Sequence, residues 1–245
     1  MTENRWAELR QVGFATLDHA AAVRTAIELL DLGPGFDDPL LAAMHLADFT
    51  APIGPDTYLE VLAPTAPDHS VARWLGRVGG SSGWVLSTQV PSLDGVKERA
   101  ADHGVRIAVE TQAMGKDIVQ LHPLDVGVLL ELDAFLPREQ WFWDDMEAAK
   151  AAQAGRSSKV DNIVAVDVAA EDPAAMAATW AAIIGIDPPV ATQDGAAIAF
   201  GTRPIRFVPA QGGRTGIVAV DIHATDRENG PGQQGELCQT LIRFV

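Results

Sequence analysis

The stretch DIVQLHPLDVGVLLEL, residues 117–132, holds two runs of alternating side chains on either side of a His-Pro-x-Asp turn. Successive side chains of a strand point to opposite faces, so every second residue shares a face. The second run has one uniformly apolar face, formed by Val126, Val128, Leu130 and Leu132. Glu131 therefore points to the other face. The stretch predicts a pair of strands with one buried face and one face that carries a carboxylate.

Three other segments share one order of elements: an apolar strand, an acidic turn, an amphipathic helix closed by glycine, and further strands. The first strands are predicted at 9–17, 84–90 and 163–168. Candidate N-caps are Asp18, Ser92 or Asp94, and Asp172, and the helices end before Gly33, Gly104 and Gly185. Strand-like runs follow at 40–49, 56–63, 105–109, 117–122, 126–133, 196–200, 204–208, 216–222 and 240–245. The recurrence predicts an internal repeat of strand, helix and three strands.

The repeats predict an α+β fold in which βαβββ units form curved mixed sheets with helices on the outer face. Residues 1–136 would form one domain of two paired repeats. Residues 137–159 break the pattern and are predicted to be a helical linker, in which 138–154 is helical. Residues 160–245 would form a second, shortened domain, because 216–222 is followed by a loop rich in Gly and Gln and not by a fourth helix.

Composition excludes several classes of function. The formal net charge of -15 argues against a nucleic-acid partner, which needs clustered Lys and Arg. One cysteine, Cys238, excludes an internal disulfide and a cysteine-based metal site. No run approaches the roughly 18 to 20 apolar residues of a membrane span, and the N-terminus lacks the apolar core of a secretory signal. We expect a cytoplasmic protein with no membrane partner.

The order of three motifs resembles the vicinal oxygen chelate superfamily, which includes glyoxalase I, methylmalonyl-CoA epimerase, extradiol dioxygenases and bleomycin-resistance proteins. The motifs are QVGFA at 11–15 followed by Asp18 and a helix, YLEVLAP at 58–64, and the stretch 117–132. The resemblance covers 9–133 well and 160–245 weakly. It implies a glyoxalase-like domain protein that binds a small organic ligand.

Metal-dependent members of this superfamily use one ligand from each of four strands, and the resemblance places these ligands at Gln11, Glu60, Val85 and Glu131. Valine has no ligand atom, so the set is incomplete. We therefore expect no cofactor. The alternative is Mg²⁺ or Mn²⁺ held by the oxygens of Gln11, Glu60 and Glu131, because these ions accept carboxylate, amide and water oxygens.

Alternation along the strands predicts which side chains face the ligand. These are Gln11, Tyr58, Glu60, Ser87, Gln89 and Glu131. Burying two carboxylates on a largely apolar face costs free energy. A metal, a shared proton, a cationic ligand or structural partners such as Arg would offset this cost. If Glu60 and Glu131 lie close together without a metal, one pKa rises and gives a general base or acid.

The leading functional hypothesis is an isomerase, epimerase or lyase that removes a proton next to a carbonyl. Glu60 or Glu131 would be the base, with His45 as a further catalytic residue. Substrate-binding candidates are Gln11, Tyr58, Ser87, Gln89 and His122. His45 as an ordinary core residue and His122 as a turn-stabilising residue remain open alternatives, as do packing or a pocket rim for the aromatic run 141–143.

Two other functions stay open. One is a non-catalytic, drug-sequestering protein of the bleomycin-resistance type, which the incomplete metal set and the acidic surface favour. The other is an interaction module in which the shortened region 160–245 pairs with a second copy as a homodimer, because a sheet without a covering helix exposes its edge.

Overall fold

The computed structural model of the chain describes residues 5–226 and 230–245, and the strands in these residues form two seven-stranded mixed sheets. The first sheet contains β1 (Glu8–Ala15), β2 (Leu46–Pro52), β3 (Tyr58–Pro64), β4 (Ser82–Val90), β5 (Ile107–Ala113), β6 (Lys116–Leu121) and β7 (Leu129–Ala134). The second contains β8 (Val160–Ala170), β9 (Val190–Thr192), β10 (Gly195–Phe200), β11 (Arg203–Pro209), β12 (Gly216–Ala224), β13 (Gln234–Leu237) and β14 (Thr240–Phe244).

Along the chain, most helices connect two strands of the same sheet, and two helical elements connect the first sheet to the second. The helices are α1 (His19–Leu30), α2 (Pro39–Ala43), α3 (Ser70–Val78), α4 (Val96–Asp102), α5 (Pro123–Val126), α6 (Glu147–Ala154) and α7 (Pro173–Ile184). A 3-10 helix, Phe142–Asp145, precedes α6. In the described part of the chain, no helix is both long enough and apolar enough to cross a bilayer.

Strand order reflects the repeat. The first sheet runs β2-β3-β1-β4-β7-β6-β5 and the second β13-β14-β12-β8-β11-β10-β9. In each repeat the first strand pairs in parallel with the last: β1 with β3, β4 with β7, β8 with β11, and β12 with β14. The remaining pairs within a repeat are antiparallel. The predicted α+β class with repeated βαβββ units is therefore confirmed.

The helix boundaries follow from local capping. The Asp18 side chain accepts a hydrogen bond from the Ala21 backbone N–H at the start of α1. Asp172 does the same for Ala175 at the start of α7, where Pro173 occupies the first turn. Gly185 ends α7 with a φ of 84°, a left-handed conformation that a residue with a Cβ rarely adopts.

The prediction of a strand over 40–49 is wrong in its first half. Asp38 caps a short helix by accepting a hydrogen bond from the Leu40 N–H, and Pro39 stands at its first position, so 39–43 form α2. His45 follows in a left-handed turn with a φ of 58° and lies outside β2. The predicted helix over 138–154 is also shorter, because 142–145 are a 3-10 helix and α6 begins at Glu147. Helix α3 was not predicted.

Contacts divide the described residues into two compact units. Unit A consists of residues 5–10, 85–141 and 165–218, and unit B of residues 11–84, 142–164, 219–226 and 230–245. In unit A the Trp180 ring of α7 lies edge-on to Phe207 at 5.1 Å, and its Nε1 donates to the Val126 carbonyl at 3.2 Å. In unit B the wholly buried side chains include Phe14 and Leu59. The division into domains 1–136 and 160–245 stays a prediction.

Candidate functional site

One face of the β4–β7 pair in unit A carries polar side chains. Register places Ser87 opposite Glu131 and Gln89 opposite Asp133. Because partners in neighbouring strands and residues two apart in one strand share a face, these four side chains lie on one face of the sheet. The opposite face is largely apolar and fully buried, with Leu86, Leu130, Leu132 and the polar Thr88 at 0 % exposure.

The Glu131 carboxylate is held by two side chains. Ser87 Oγ donates to Glu131 Oε1 at 2.8 Å, and Gln120 Nε2 donates to Oε2 at 2.5 Å. Gln120 is also the register partner of Glu131 across β6 and β7. Glu131 is half-buried, and Ser87 is buried. Hydrogen bonds to both oxygens favour the charged form and fix the plane of the carboxylate.

Asp133 lies two residues beyond Glu131 on the same face and is fully enclosed, at 0 % exposure. Neither carboxyl oxygen has a hydrogen-bond partner among the described residues. Burial holds the pKa of Asp133 well above its usual range, and the negative charge of Glu131 raises it further. Enclosure without hydrogen-bond donors disfavours the charged form of a carboxyl.

The Gln89 side chain forms hydrogen bonds with Arg10 and with the backbone that follows β7. Its Oε1 accepts from Arg10 Nε at 2.7 Å. Its Nε2 donates to the carbonyls of Phe135 at 2.9 Å and Pro137 at 3.2 Å. The Arg10 guanidinium also donates to the Arg138 carbonyl. The Gln89 amide therefore already ties β4 to the segment after β7, and a substrate-binding role for it stays a prediction.

The other predicted site residues on this sheet lie in unit B. Register places Gln11 opposite Tyr58 and Gly13 opposite Glu60, so Gln11, Tyr58 and Glu60 share a face, as alternation predicts. Gln11 Oε1 accepts from Trp143 Nε1 at 3.4 Å, and the Tyr58 hydroxyl accepts from Gln153 Nε2 at 3.4 Å. Glu60 is buried, at 4 % exposure.

A shallow groove in unit B adjoins these residues. Its volume is about 380 Å³, and it is lined by Pro55, Tyr58, Trp143, Asp144, Ala149, Lys150 and Gln153. Trp143 packs edge-on against Phe36 at 5.4 Å. Tyr58 is the predicted site residue that lines this groove. Trp143, from the aromatic run 141–143, lines the groove as well.

The donors proposed for a metal are divided between the units. Gln11 and Glu60 belong to unit B and Glu131 to unit A. Across residues 5–226 and 230–245, His, Cys, Asp and Glu side chains nowhere gather in a group of three or more that could hold a metal ion. Both oxygens of Glu131 already accept hydrogen bonds. The metal alternative with Gln11, Glu60 and Glu131 as oxygen donors stays a prediction, and so does the shared site of Glu60 and Glu131.

The two predicted histidines lie in turns. His45 is exposed, and its carbonyl accepts hydrogen bonds from the backbone N–H and hydroxyl of Thr65. His122 caps α5, with its Nδ1 accepting from the Leu124 N–H at 3.2 Å. This contact supports the turn-stabilising interpretation of His122. The catalytic role of His45 and the substrate-binding role of His122 stay predictions.

The second sheet carries ion pairs between register partners of its parallel strand pairs. Arg206 Nε donates to Asp167 Oδ1 at 2.5 Å across β8 and β11. Arg243 Nε donates to Asp221 Oδ1 at 2.5 Å across β12 and β14. Asp167 and Gly13 each lie five residues before the N-cap aspartate of their repeat, which makes these two positions equivalent in the first and third repeats.

Gln120 and Asp133 are site residues that the sequence analysis missed. The signal for Asp133 was present, because the alternation that turns Glu131 away from the apolar face also turns Asp133 away. Gln120 required the register of β6 against β7, which the sequence does not fix.

Comparison with known proteins gives structural neighbours. The chain matches no family model, and a search of curated proteins finds no match. A hypothetical protein from Staphylococcus aureus has a TM-score of 0.66 at 11% identity, with 98% of each chain covered. A variant of 4-hydroxymandelate synthase from Streptomyces coelicolor has a TM-score of 0.65 at 16% identity, covering 91% of this chain and 72% of that one.

Methylmalonyl-CoA epimerase from Mycobacterium tuberculosis aligns with 56% of this chain and 95% of its own length, at 22% identity and a TM-score of 0.45. 4-Hydroxymandelate synthase is a member of the vicinal oxygen chelate superfamily, and its likeness extends over 91% of this chain. The resemblance predicted from the sequence is confirmed at the level of the fold: the chain has the fold of the vicinal oxygen chelate superfamily.

Proposed function

We propose that the chain binds a small organic molecule with a carbonyl group and removes a proton from the carbon next to that carbonyl. Glu131 is the base. The observation that carries the proposal is the fixed carboxylate of Glu131, which accepts one hydrogen bond from Ser87 at 2.8 Å and one from Gln120 at 2.5 Å. The reaction class is isomerisation, epimerisation or elimination.

Position and charge support Glu131 as the base. A general base must be ionised, oriented and within reach of a bound ligand. Two donors orient the carboxylate and favour its charged form, and half-burial leaves Glu131 more accessible than buried Ser87 or Asp133 beside it. Ser87 and Gln120 act by positioning Glu131. Each donates one hydrogen bond to one oxygen of the carboxylate.

Binding without chemistry is a second candidate, and the groove in unit B favours it. The Tyr58 and Trp143 side chains line this groove, together with the charged groups of Asp144 and Lys150. Aromatic walls with a few polar groups are typical of small-molecule sites. A drug-sequestering protein would hold its ligand there and release it unchanged.

A cytoplasmic location and a homodimer stay predictions.

The test is hydrogen exchange at carbon. Pyruvate, 2-oxobutyrate and acetoacetate are incubated with the protein in D2O, and loss of the proton signal next to the carbonyl is followed by NMR. The wild type is expected to accelerate exchange of at least one probe. Glu131→Gln should lower that rate by about 100-fold or more, the range of one acid–base catalyst.

The matched control is Glu110→Gln, the same change at an exposed residue of β5. It should leave exchange unchanged. Exchange that survives in Glu131→Gln, or no acceleration by the wild type with any probe, would contradict the proposal. A probe that quenches Trp143 fluorescence yet never exchanges would support binding without chemistry.

A further inference from the structure

We propose that the groove in unit B binds the zwitterion of an aromatic α-amino acid, with Lys150 facing the ligand carboxylate and Asp144 facing the ligand ammonium group. The inference rests on the second candidate function, ligand binding at this groove, and adds the chemical class of the ligand. It does not depend on Glu131, which belongs to unit A.

The groove has the size and the lining of a small-molecule site. Its volume of about 380 Å³ lies within the range of about 300 to 1,000 Å³ that is usual for such sites. Tyr58 and Trp143 form its aromatic part and are buried, at 2 % and 6 % exposure. Ring contacts at an edge or with an offset add to the free energy gained by burial. The walls therefore favour a ligand with an aromatic ring.

The aromatic walls are held in place by side chains of the same unit. Phe36 lies edge-on to both rings, with ring centroids 5.4 Å from Trp143 and 6.2 Å from Tyr58. Gln153 Nε2 donates to the Tyr58 hydroxyl at 3.4 Å and to the Gly54 carbonyl at 3.0 Å. A preformed wall favours binding, because few side chains lose conformational freedom when the ligand enters.

The two charged residues of the lining have opposite signs. Asp144 lies in the 3-10 helix Phe142–Asp145 and Lys150 lies in α6, and both are exposed. A ligand with a single charge is attracted by one of them and repelled by the other. A ligand with one charge of each sign is attracted by both. An α-amino acid at neutral pH carries an ammonium group and a carboxylate on the same carbon, so it has the required pair of charges.

Lys150 can bind a ligand carboxylate although it has an acidic neighbour. Its Nζ lies 2.8 Å from Glu147 Oε1, and this hydrogen bond raises the pKa of Lys150, so the ammonium group stays charged. The side chains of Lys150 and Glu147 are 50% and 89% exposed, and an ion pair as exposed as this contributes little to stability. A ligand carboxylate can therefore replace Glu147 at little cost.

Three probes that share a phenyl ring test the ligand class. L-Phenylalanine carries both charges, phenethylamine lacks the carboxylate, and 3-phenylpropionate lacks the ammonium group. Dissociation constants for the wild type at neutral pH are measured by ligand-observed NMR titration. L-Phenylalanine should bind about 3- to 10-fold more tightly than either single-charge probe, the range expected for exposed and partly exposed charge pairs.

Equal or tighter binding of a single-charge probe overturns the ligand class and leaves the groove as a binding site. No binding of any probe overturns the proposal together with the second candidate function. Proton exchange at Glu131, which belongs to unit A, is a separate readout for the first candidate function.

Two variants that each remove one charge test the assignment to the groove. Lys150→Gln should remove the advantage of L-phenylalanine over phenethylamine, because these probes differ by the carboxylate. Asp144→Asn should remove its advantage over 3-phenylpropionate, because these probes differ by the ammonium group. The control Glu28→Gln, at an exposed position on α1 of unit B, should retain both advantages. An advantage that survives the removal of its assigned charge overturns the proposal.

Discussion

Ser87 and Glu131 are register partners across the parallel strands β4 and β7, and the Ser87 hydroxyl donates to Glu131 Oε1 at 2.8 Å. The partnership follows from the backbone, because opposed residues in neighbouring strands share a face. The orientation of Glu131 is thus set by two strands of the repeat and by Gln120 on a third. This arrangement can be tested one hydrogen bond at a time.

Ser87→Ala should weaken the site and the fold together. It removes one hydrogen bond to a charged group, for which a loss of about 1 to 2 kcal/mol in the free energy of unfolding is expected. Exchange of a carbon-bound proton should fall by about 10-fold as the carboxylate loses its fixed plane. Urea unfolding and NMR exchange measure the two effects.

Ser81→Ala provides the control for this change. Ser81 Oγ lies 2.9 Å from Thr16 Oγ1, so the control also removes a hydroxyl–side-chain hydrogen bond, but from a neutral pair in unit B. It should lower stability slightly and leave exchange unaltered. Equal exchange rates in Ser87→Ala and the wild type would show that Ser87 does not position Glu131.

Several features of this site could be predicted from the sequence, and others could not. Alternation in 117–132 places Glu131 on the polar face, and the same rule places Asp133 there too. Enclosure of Asp133 depends on how the whole repeat packs, which alternation does not report. The position of His45 was predicted incorrectly from the sequence. Although the composition of this segment is typical of a strand, Asp38 and Pro39 start a helix there, and His45 lies in an exposed turn after it.

The division of site residues between units is another feature that the sequence does not reveal. The motifs that carry Glu60 and Glu131 lie in one half of the chain, so a shared pocket was the natural expectation. In the structure Glu60 belongs to the same unit as residues 219–226 and 230–245, and Glu131 to the same unit as 165–218. Such pairing depends on contacts between distant parts of the chain, which local sequence patterns do not encode.

Asp48→Asn should change how stability depends on pH. Burial raises the pKa of Asp48 from 3.8 to about 7, and the charges of Asp38 and Asp37 add to the rise. The folded state thus binds more protons at this site than the unfolded state between about pH 4 and pH 7, so wild-type stability falls as pH rises through this window.

The stability of the Asp48→Asn variant does not fall in this way, because asparagine does not ionise. The variant should be more stable than the wild type above pH 7, by on the order of 1 to 3 kcal/mol in the free energy of unfolding. The two proteins should be equally stable near pH 4. Thermal unfolding across pH 4 to 8 measures the difference. The control Asp102→Asn, exposed at the end of α4, should follow the wild-type curve. A wild type whose stability relative to Asp48→Asn does not depend on pH would refute the assignment.

Asp167→Asn and Asp221→Asn should have similar costs, because each aspartate pairs with an arginine that is its register partner across two parallel strands. Both pairs have N···O distances of 2.5 Å, and the arginine side chains of Arg206 and Arg243 are 33% and 29% exposed. Each substitution should lower the free energy of unfolding by about 1 to 3 kcal/mol. Chemical denaturation of the two variants, compared with exposed Asp102→Asn, measures this. A cost near zero for either variant would contradict the expectation.

Cys238 should be nearly inert in the folded protein. Burial raises the pKa of its thiol to about 12, so very little thiolate exists at pH 8. Alkylation by iodoacetamide should be slower than in the urea-unfolded chain by about 100-fold or more. Mass spectrometry after timed quenching gives both rates. Equal rates in the folded and unfolded protein would mean that burial does not protect the thiol.

The central claim is that Glu131 removes the proton, and its most direct test separates binding from exchange. Affinity for acetoacetate and the rate of its carbon–deuterium exchange are measured on the same samples of wild type, Glu131→Gln and Glu110→Gln. The account predicts affinities within about threefold for all three and an exchange rate at least about 100-fold lower in Glu131→Gln alone. Undiminished exchange by Glu131→Gln at equal occupancy would contradict it.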